Sequence, residues 1–357
     1  MIIVVGAGVA GLAAARRLSM QGKEVTLVAP QEPQPAFGET LSERGAMVLT
    51  SLGWASCLDE TVALRSQGRF SVWGGEGLRT VQDEDGQGYL LDKARLEQAL
   101  FERVQKEEKV SIRQTRVLGL EHQPEGVIAK LADGTTLEAA ALIDCTGRAA
   151  LSSGAAAERH RLDRLVAAWH VFDLPEGAEP LAASLVEAVE LGWWYLSPMP
   201  GHRLMVALFS DSDLLPDGLS RDGSVWAGLL GCADAARVRM ESLGLDSQMA
   251  ENTPKVSAAA SCTVSYFVEG RILRAGDAGA AMDPLAANGL ATALWSGSQA
   301  AQAAIALIQG NPEPARSYEK DYLLGLVRHL NSQHALYGME QRYKAQPFWQ
   351  RRHRALE

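Results

Sequence analysis

The sequence predicts an α/β fold in which a domain built on a parallel sheet carries an inserted mixed β-sheet domain and ends in a helical C-terminal tail. Three observations predict this fold. An apolar run over residues 2–5, glycines within residues 6–11 and a helical period over residues 12–21 together indicate a βαβ unit. Residues 165–264 are richer in tryptophan and alternate in patches between apolar and polar residues. From residue 314 onward the chain has helical periodicity.

The composition is that of a globular protein. The chain has 357 residues, 47% of them hydrophobic, and its 34 basic and 43 acidic side chains give a formal net charge of −9. A nucleic-acid-binding surface needs clustered basic residues, so no nucleic-acid partner is expected. The apolar start lacks a basic n-region and is far shorter than the roughly 20 residues of a membrane span. We therefore expect no membrane span and a cytoplasmic location.

The cysteines predict neither a metal site nor a disulfide framework. They lie far apart in the sequence, without a Cys-x-x-Cys pair or a Cys/His cluster, which indicates a reducing compartment. The four residues are Cys57, Cys145, Cys232 and Cys262.

The N-terminal half continues with short helices and strands. The second strand of the βαβ unit is predicted over residues 24–28, and Ser42 is suited to cap a helix over residues 42–52. Residues 62–90 have the pattern of short strands between glycine-rich turns, and residues 92–106 that of an amphipathic helix.

A β-meander is predicted over residues 116–145, because Asp133-Gly134 is a two-residue turn that favours a tight hairpin. Its predicted strands are 117–121, 127–131 and 137–144. The elements predicted beyond it are a strand over 202–210, a helix near 225–241, a strand over 271–275 and a long helix over 289–309.

Gly6, Gly8 and Gly11 form a Gly-x-Gly-x-x-Gly pattern between the first strand and the first helix. The first glycine permits a tight turn, the second lets the backbone approach a pyrophosphate, and the third allows close helix–strand packing. The pattern predicts a dinucleotide site in a Rossmann-type domain. A ribose-binding acid is expected about 20 residues further on. Residues 29–30 are Ala-Pro, so either Glu32 reaches back to the ribose or the ribose is held differently.

Three later segments resemble those of glutathione-reductase-type flavoproteins. Residues 271–278, followed by Asp283-Pro284 and Gly289, resemble the second FAD fingerprint of that family. Residues 144–148, Asp-Cys-Thr-Gly-Arg, resemble its Asp-Ala-Thr-Gly-Arg segment. Arg95 opens an Arg-Leu-x-x-x-Leu helix and resembles the arginine that contacts flavin.

The resemblance implies FAD as the cofactor. Asp277 would bind the ribityl chain, and amides at the start of the following helix would approach the flavin pyrimidine edge. The implied segments are a FAD-binding domain in two parts, 1–164 and 265–312, a substrate domain over 165–264 and a C-terminal helical tail over 313–357. The implied cofactor-binding residues are Gly6, Gly8, Ala10, Gly11, Glu32, Thr40, Arg95, Gly147, Gly276, Asp277, Pro284, Asn288, Gly289 and Leu290.

Residues 38–41, Gly-Glu-Thr-Leu, resemble the Gly-Glu-Ser-Leu loop of FAD monooxygenases and flavin-dependent halogenases. Ala280 and Ala287 depart from the histidine and the glycine or serine that hydroxylases usually have there. Halogenases relay hypohalous acid through a lysine between this loop and the Arg-Leu helix. The chain has no lysine between Lys23 and Lys93, which favours direct hydroxylation.

The implied chemistry is hydroxylation of an electron-rich aromatic ring through a C4a-hydroperoxyflavin formed with O2. No second Gly-x-Gly-x-x-Gly pattern follows Gly11, so the electrons would come from transiently docked NAD(P)H or from a separate flavin reductase. The alternatives are a flavin-dependent halogenase and a non-oxygenating FAD reductase or escort flavoprotein.

The C-terminal region resembles the LodB/QhpG-like branch of flavoprotein monooxygenases. The resemblance rests on Tyr337-x-x-Glu340-x-Arg342-Tyr343, on residues 347–352 and on residues 192–195, Gly-Trp-Trp-Tyr. It implies a tryptophan-bearing partner protein as substrate, during maturation of a tryptophan-derived quinone cofactor. A free aromatic or indole small molecule is the alternative substrate.

Four residues are candidates for catalysis: Glu39, Asp283, Trp194 and Tyr195. Glu39 is either an active-site base or a capping residue, and Asp283 either orients the substrate or caps the helix after Pro284. The aromatic residues either line the site or pack in the core, because a strand sends alternate side chains to opposite faces. The basic residues 351–354 either grip a partner or form a solvated tail.

Overall fold

A mostly parallel sheet is the centre of the fold. The computed structural model describes residues 1–30, 35–75, 77–81, 86–154 and 157–354. Within them, the strands of this sheet in spatial order are Val268–Glu269, Ile272–Arg274, Ala141–Asp144, Ile2–Val5, Val25–Val28 and Val110–Arg113. Neighbouring strands run parallel except for the first pair. The helix Val9–Met20 connects Ile2–Val5 to Val25–Val28, which confirms the predicted βαβ unit.

Both faces of the parallel sheet are covered. Ile2 and Val4 pack against helices, whereas Ile3 and Val5 pack against the β-meander. This burial explains why the first strand is apolar at every position. The helices of this layer are Val9–Met20, Lys93–Val104 and Gly289–Ile308, and the meander strands are Val117–Gln123, Gly126–Leu131 and Thr136–Ala139.

A second, larger sheet lies beside the first. Seven described strands form it, in the spatial order Lys255–Ala258, Leu165–Asp173, Arg203–Asp211, Gly192–Met199, Ala183–Val189, Gly68–Val72 and Arg79–Val81. The pair Ala183–Val189 and Gly68–Val72 is parallel and the other pairs are antiparallel, so the sheet is mixed as predicted. Two of its strands precede residue 165 in the chain. One face of this sheet packs on the helices Gly223–Leu230, Asp234–Ser242 and Gln248–Glu251.

Smaller elements complete the fold. Ser42 caps the helix Glu43–Ser51 by accepting a hydrogen bond from the Gly45 amide at 3.3 Å, as predicted. Two further sheets have three described strands each, in the orders Gly38–Leu41, Tyr89–Asp92, Ala63–Arg65 and Arg159–Arg161, Cys262–Val264, Ala280–Ala281. Short 3₁₀ helices occupy Ala55–Cys57, Gly147–Ala149, Gly276–Ala278 and Pro284–Ala286. Among the described helices, none combines the length and apolar character needed to cross a membrane.

Two predicted elements are each divided in the structure. The predicted helix 225–241 is interrupted after Leu230, because Gly231 ends one helix and Ala233 has the extended backbone that precedes the next. The predicted strand 137–144 is two strands that separate at Ala140 and join different sheets. Apolar periodicity predicts a strand but does not identify its pairing partner.

The C-terminal tail is helical, as predicted, and consists of Glu313–Met339 and Pro347–His353. Two arginines of its basic end make ion pairs within the chain. Arg351 binds Asp211 at 2.7 Å and Asp213 at 2.8 Å, and Arg352 binds Asp211 at 2.8 Å. For Arg351 and Arg352 the expectation of a solvated tail is therefore wrong, because these arginines neutralise the carboxylates at the end of the strand Arg203–Asp211.

Candidate active site

The carboxyl ends of the parallel strands open into a cavity of about 2220 Å³ that extends to the inner face of the seven-stranded sheet. Small-molecule sites usually measure several hundred to about 1,000 Å³, so this cavity has room for a dinucleotide and a second ligand. Ligands of open α/β sheets bind beyond the carboxyl ends of the strands. We call the part beside Gly8, Asp277 and Gly289 the glycine end, and the part beside Trp193, Tyr195 and Asp283 the aromatic end.

The glycine loop has the shape that a pyrophosphate requires. Gly6 has a φ of +101°, and a Cβ there would lie 2.3 Å from the carbonyl oxygen of Cys145. A Cβ on Gly11 would lie 1.9 Å from the carbonyl oxygen of Gly6, so the helix packs on the loop at its closest approach. A Cβ on Gly8 would meet Glu97 Oε1 at an ordinary 3.5 Å. Gly8 therefore faces open space where a ligand can approach the backbone.

The helix Val9–Met20 begins at this loop with its amide groups directed at the cavity. Gly8, its N-cap, has no side chain that could cap it, and the Val9 amide interacts with the Glu97 carboxylate. The other first-turn amides and the positive end of the helix dipole favour an anion. Ala10 also lines the cavity beside this helix start. The glycine end thus fits the pyrophosphate of a dinucleotide such as FAD.

A second loop brings Asp277 to the glycine end. Gly276 has a φ of +59°; its amide donates to Ser296 Oγ at 2.9 Å, and its carbonyl accepts from the Tyr322 hydroxyl at 2.7 Å. This anchoring leaves the Asp277 side chain 44% exposed, 3.6 Å from Arg148 Nε. Gly147, with a φ of +62°, lies beside it on the cavity wall. An exposed carboxylate on a fixed loop can accept hydrogen bonds from ligand hydroxyl groups.

The loop after Asp283 leads into the helix Gly289–Ile308. Ala287 adopts the left-handed conformation, with φ 52° and ψ 33°, which explains why glycine would fit that position more easily. Asn288 precedes the helix, and none of the described side chains caps its first turn. Pro284, Asn288, Gly289 and Leu290 all line the cavity.

Lys93 is a cation at the glycine end that the sequence analysis did not single out. Its Nζ lies 3.1 Å from Glu39 Oε1, and the Glu39 carboxylate raises the pKa of the Lys93 ammonium. Burial raises the pKa of Glu97, one turn further along the same helix. The four-residue spacing of Lys93 and Glu97 places both side chains on one face of the helix, and this spacing could have identified the pair from the sequence. Glu39 is thus an ion-pair partner in this structure.

Arg95, by contrast, lies at the cavity rim. Its Nη1 donates to the Thr61 carbonyl at 2.8 Å, and its Nε is 3.6 Å from Asp92. Glu32 lies outside the described residues. The structure therefore brings Lys93, rather than Arg95, close to Glu39 and the glycine loop.

The aromatic run of the strand Gly192–Met199 divides between two faces. Trp193 and Tyr195 line the cavity, and the Tyr195 hydroxyl is 3.1 Å from Thr40 Oγ1. Trp194 points to the opposite face, where it is fully buried with its ring centroid 4.7 Å from that of Trp226. Trp194 is therefore not brought to the site, as strand alternation requires for the residue between two cavity-facing neighbours.

Asp283 is a buried carboxylate at the aromatic end, with 1% of its surface exposed. Its Oδ1 accepts from the Leu285 amide at 2.8 Å, and its Oδ2 accepts from the Tyr337 hydroxyl at 2.8 Å and from Gln333 Nε2 at 2.9 Å. The indole of Trp193 donates to the Tyr337 oxygen at 3.0 Å. Burial raises the pKa of Asp283 to about 6. Asp283 thus caps the short helix Pro284–Ala286, which was one of its two expected roles. Its contacts with Gln333 and Tyr337 were not evident in the sequence.

The fold and the glycine end define an enzyme class. A sequence model of the FAD dependent oxidoreductase family matches residues 2–163. The chain is an FAD-dependent oxidoreductase, as the sequence predicted.

The chain is similar to three named flavoproteins. The chain is 25% identical to LodB of Marinomonas mediterranea, a protein named as a putative FAD-dependent oxidoreductase. The alignment covers 98% of this chain and 96% of LodB. The structure of QhpG, described as a peptidyl tryptophan dihydroxylase essential for tryptophylquinone cofactor biogenesis, is 27% identical and superposes with a TM-score of 0.75, covering 100% of this chain and 80% of QhpG. The flavin-dependent halogenase CmlS is 19% identical with a TM-score of 0.83, covering 100% of this chain and 68% of CmlS, and it shares the fold.

Proposed function

We propose that this protein is a monooxygenase that hydroxylates the ring of a tryptophan in a partner polypeptide, as a step in quinone-cofactor maturation. The observation that carries the proposal is the aromatic end, where Trp193, Tyr195 and the buried Asp283 surround space beyond the glycine end. The similarity to QhpG over the whole chain supports a tryptophan side chain as the substrate.

The residues of the chain would divide the work between the two ends. Gly8, Asp277 and Gly289 would hold the FAD, which when bound and reduced supplies the two-electron activation of O2. Trp193 and Tyr195 would form a wall that excludes water and confines the substrate ring. Asp283 would hold a polar hydrogen of the substrate. The electrons would come from transiently docked NAD(P)H or from a flavin reductase.

The cavity favours hydroxylation over halogenation. Among the described residues that line it, the one lysine is Lys93. Its ammonium is paired with Glu39 at the glycine end, and this pairing stabilises the protonated form. A protonated, paired amine is a poor nucleophile for capturing a hypohalous acid. The shared fold with CmlS does not by itself imply halogenation.

The test is product analysis under ¹⁸O2. The FAD-loaded protein is supplied with NADH, with or without a flavin reductase, and with three probes: a tryptophan-bearing peptide, free tryptophan and indole. We expect ¹⁸O in the peptide, and none when the reductant is omitted. Labelling of the free compounds alone would contradict the partner-polypeptide substrate. Bromide- or chloride-dependent halogenation would establish the halogenase, and reoxidation without any product would establish the reductase or escort protein.

A further inference from the structure

The hydrogen bonds of Asp283 leave one defined acceptor position. An ionised carboxylate offers about four lone-pair sites. Oδ2 has both of its sites occupied, by Gln333 and Tyr337, whereas Oδ1 accepts from the Leu285 amide. The remaining site is therefore on Oδ1. Asp283 itself lines the cavity, so a ligand at the aromatic end can donate to that site.

Tyr337 fixes the direction of this network. The indole nitrogen of Trp193 can donate but not accept, so the Tyr337 hydroxyl must accept from Trp193 and use its own proton for Asp283. Asp283 is thereby held as an acceptor. The charged groups that act on it are Arg352, which stabilises the carboxylate, and Asp163, which opposes it. The Arg352 guanidinium lies 5.2 Å from the Tyr337 ring centroid and is paired with Asp211.

We propose that Asp283 Oδ1 accepts a hydrogen bond from the ring N–H of the substrate, and that Tyr337 is the positioning residue that keeps the carboxylate in this state. The substrate class is therefore an indole-type ring with a free N–H. This inference rests on the proposed function. A hydrogen bond from the ring N–H to an anion raises the electron density of the indole, which favours attack by an electrophilic oxygen. It also explains why a carboxylate is retained in a buried place where an uncharged residue would avoid the desolvation cost.

The test compares two peptides that differ at one ring atom. One carries tryptophan, and the other carries 3-benzothienylalanine, in which sulfur replaces the N–H with little change in shape. Dissociation constants for the oxidised, FAD-loaded protein are measured from the change in flavin absorbance, without turnover. We expect the tryptophan peptide to bind roughly 10- to 100-fold more tightly, as a hydrogen bond to a charged acceptor allows. In Asp283→Asn the ratio of the two dissociation constants should approach one.

Tyr337→Phe tests the positioning role. Loss of its hydroxyl removes a donor to the carboxylate, so the pKa of Asp283 rises further above the value of about 6 that burial gives it. The preference for tryptophan should therefore appear at higher pH than in the unmodified protein. Tyr343→Phe, which removes a hydroxyl elsewhere in the same C-terminal region, should leave both the ratio and its pH dependence unchanged.

Each outcome separates the inference from the proposed function. Equal binding of the two peptides to the unmodified protein, or an unchanged ratio in Asp283→Asn, overturns the inference even if tryptophan is hydroxylated. A preserved ratio without oxygen transfer supports the inference and contradicts the proposed function. Where Asp283→Asn does not fold, the pH shift in Tyr337→Phe decides, and the absence of a shift overturns the inference.

Discussion

The two ends of the cavity are built from different parts of the polypeptide. The glycine end is formed by backbone, in which Gly6 and Gly11 have no room for a Cβ and two helix starts direct their amides inward. The aromatic end is formed by side chains, of which Tyr337 comes from a helix more than 140 residues after Trp193. The comparison teaches that a site made of backbone leaves a local pattern in the sequence, whereas a site made of side chains is assembled by tertiary packing.

The largest expected effect is at the glycine end, in Gly11→Ala. The added Cβ would lie 1.9 Å from the carbonyl oxygen of Gly6, and both atoms belong to rigid backbone. We expect the free energy of unfolding to fall by about 3 kcal/mol or more, with loss of FAD binding. Chemical denaturation and flavin absorbance of the purified protein measure the two effects.

Gly8→Ala is the matched control. Its Cβ has ordinary space beside Glu97, so the stability of the apoprotein should change by less than about 0.5 kcal/mol while FAD affinity falls. If Gly8→Ala destabilised the apoprotein as much as Gly11→Ala, the two glycines would not have the separate roles assigned here.

Asp283→Asn probes the aromatic end through pH. The native pKa of about 6 lies above the ordinary aspartate value of about 3.9. Unfolded chains therefore ionise first, and the native protein loses stability as pH rises from about 4 to about 6, by about 3 kcal/mol at most, with no further loss above that range. Asp283→Asn should lack this slope. Denaturation of both proteins across pH 4–8 measures it, and parallel curves would show that Asp283 is not the titrating group.

Asp277→Ala should act on cofactor affinity rather than on the fold. The side chain is partly exposed on a loop held by Ser296 and Tyr322, so its removal leaves the loop anchored. Loss of a charge-assisted hydrogen bond should weaken FAD binding by roughly 1.5–3 kcal/mol. Titration of the apoprotein with FAD measures this, with Asp283→Asn as the control of unchanged affinity. Unaltered FAD binding in Asp277→Ala would place the ribityl contact elsewhere.

The contrast between local backbone patterns and side chains assembled by tertiary packing explains what the sequence could predict. The βαβ unit, Ser42 as a cap and the N-terminal glycine pattern follow from local periodicity and turn chemistry, and the structure contains them. Lys93 was missed although it precedes Arg95 by two residues, because its importance depends on Glu39, which lies on the strand Gly38–Leu41 and far from Lys93 in the sequence. Trp194 was placed at the site because the aromatic run alone does not reveal which face of the strand meets the cavity. The Tyr337–Asp283 contact joins segments 54 residues apart and has no local signature.

The smallest expected effect concerns the loop between Asp283 and the helix Gly289–Ile308, which runs from the aromatic end to the glycine end. Ala287 is held at φ 52°, where a Cβ costs about 1 kcal/mol, but glycine also gives the unfolded chain more freedom. Ala287→Gly should therefore raise the free energy of unfolding by about 0.5 kcal/mol, whereas Ala286→Gly, within the neighbouring 3₁₀ helix, should lower it. Chemical denaturation of both variants measures these changes, and equal effects of the two substitutions would show that the backbone at Ala287 is not strained.

The same two variants test whether this loop couples the two ends of the cavity. If the loop is rigid, both variants should alter FAD affinity and tryptophan-peptide binding together. A change in one affinity without the other would show that the two ends are energetically independent.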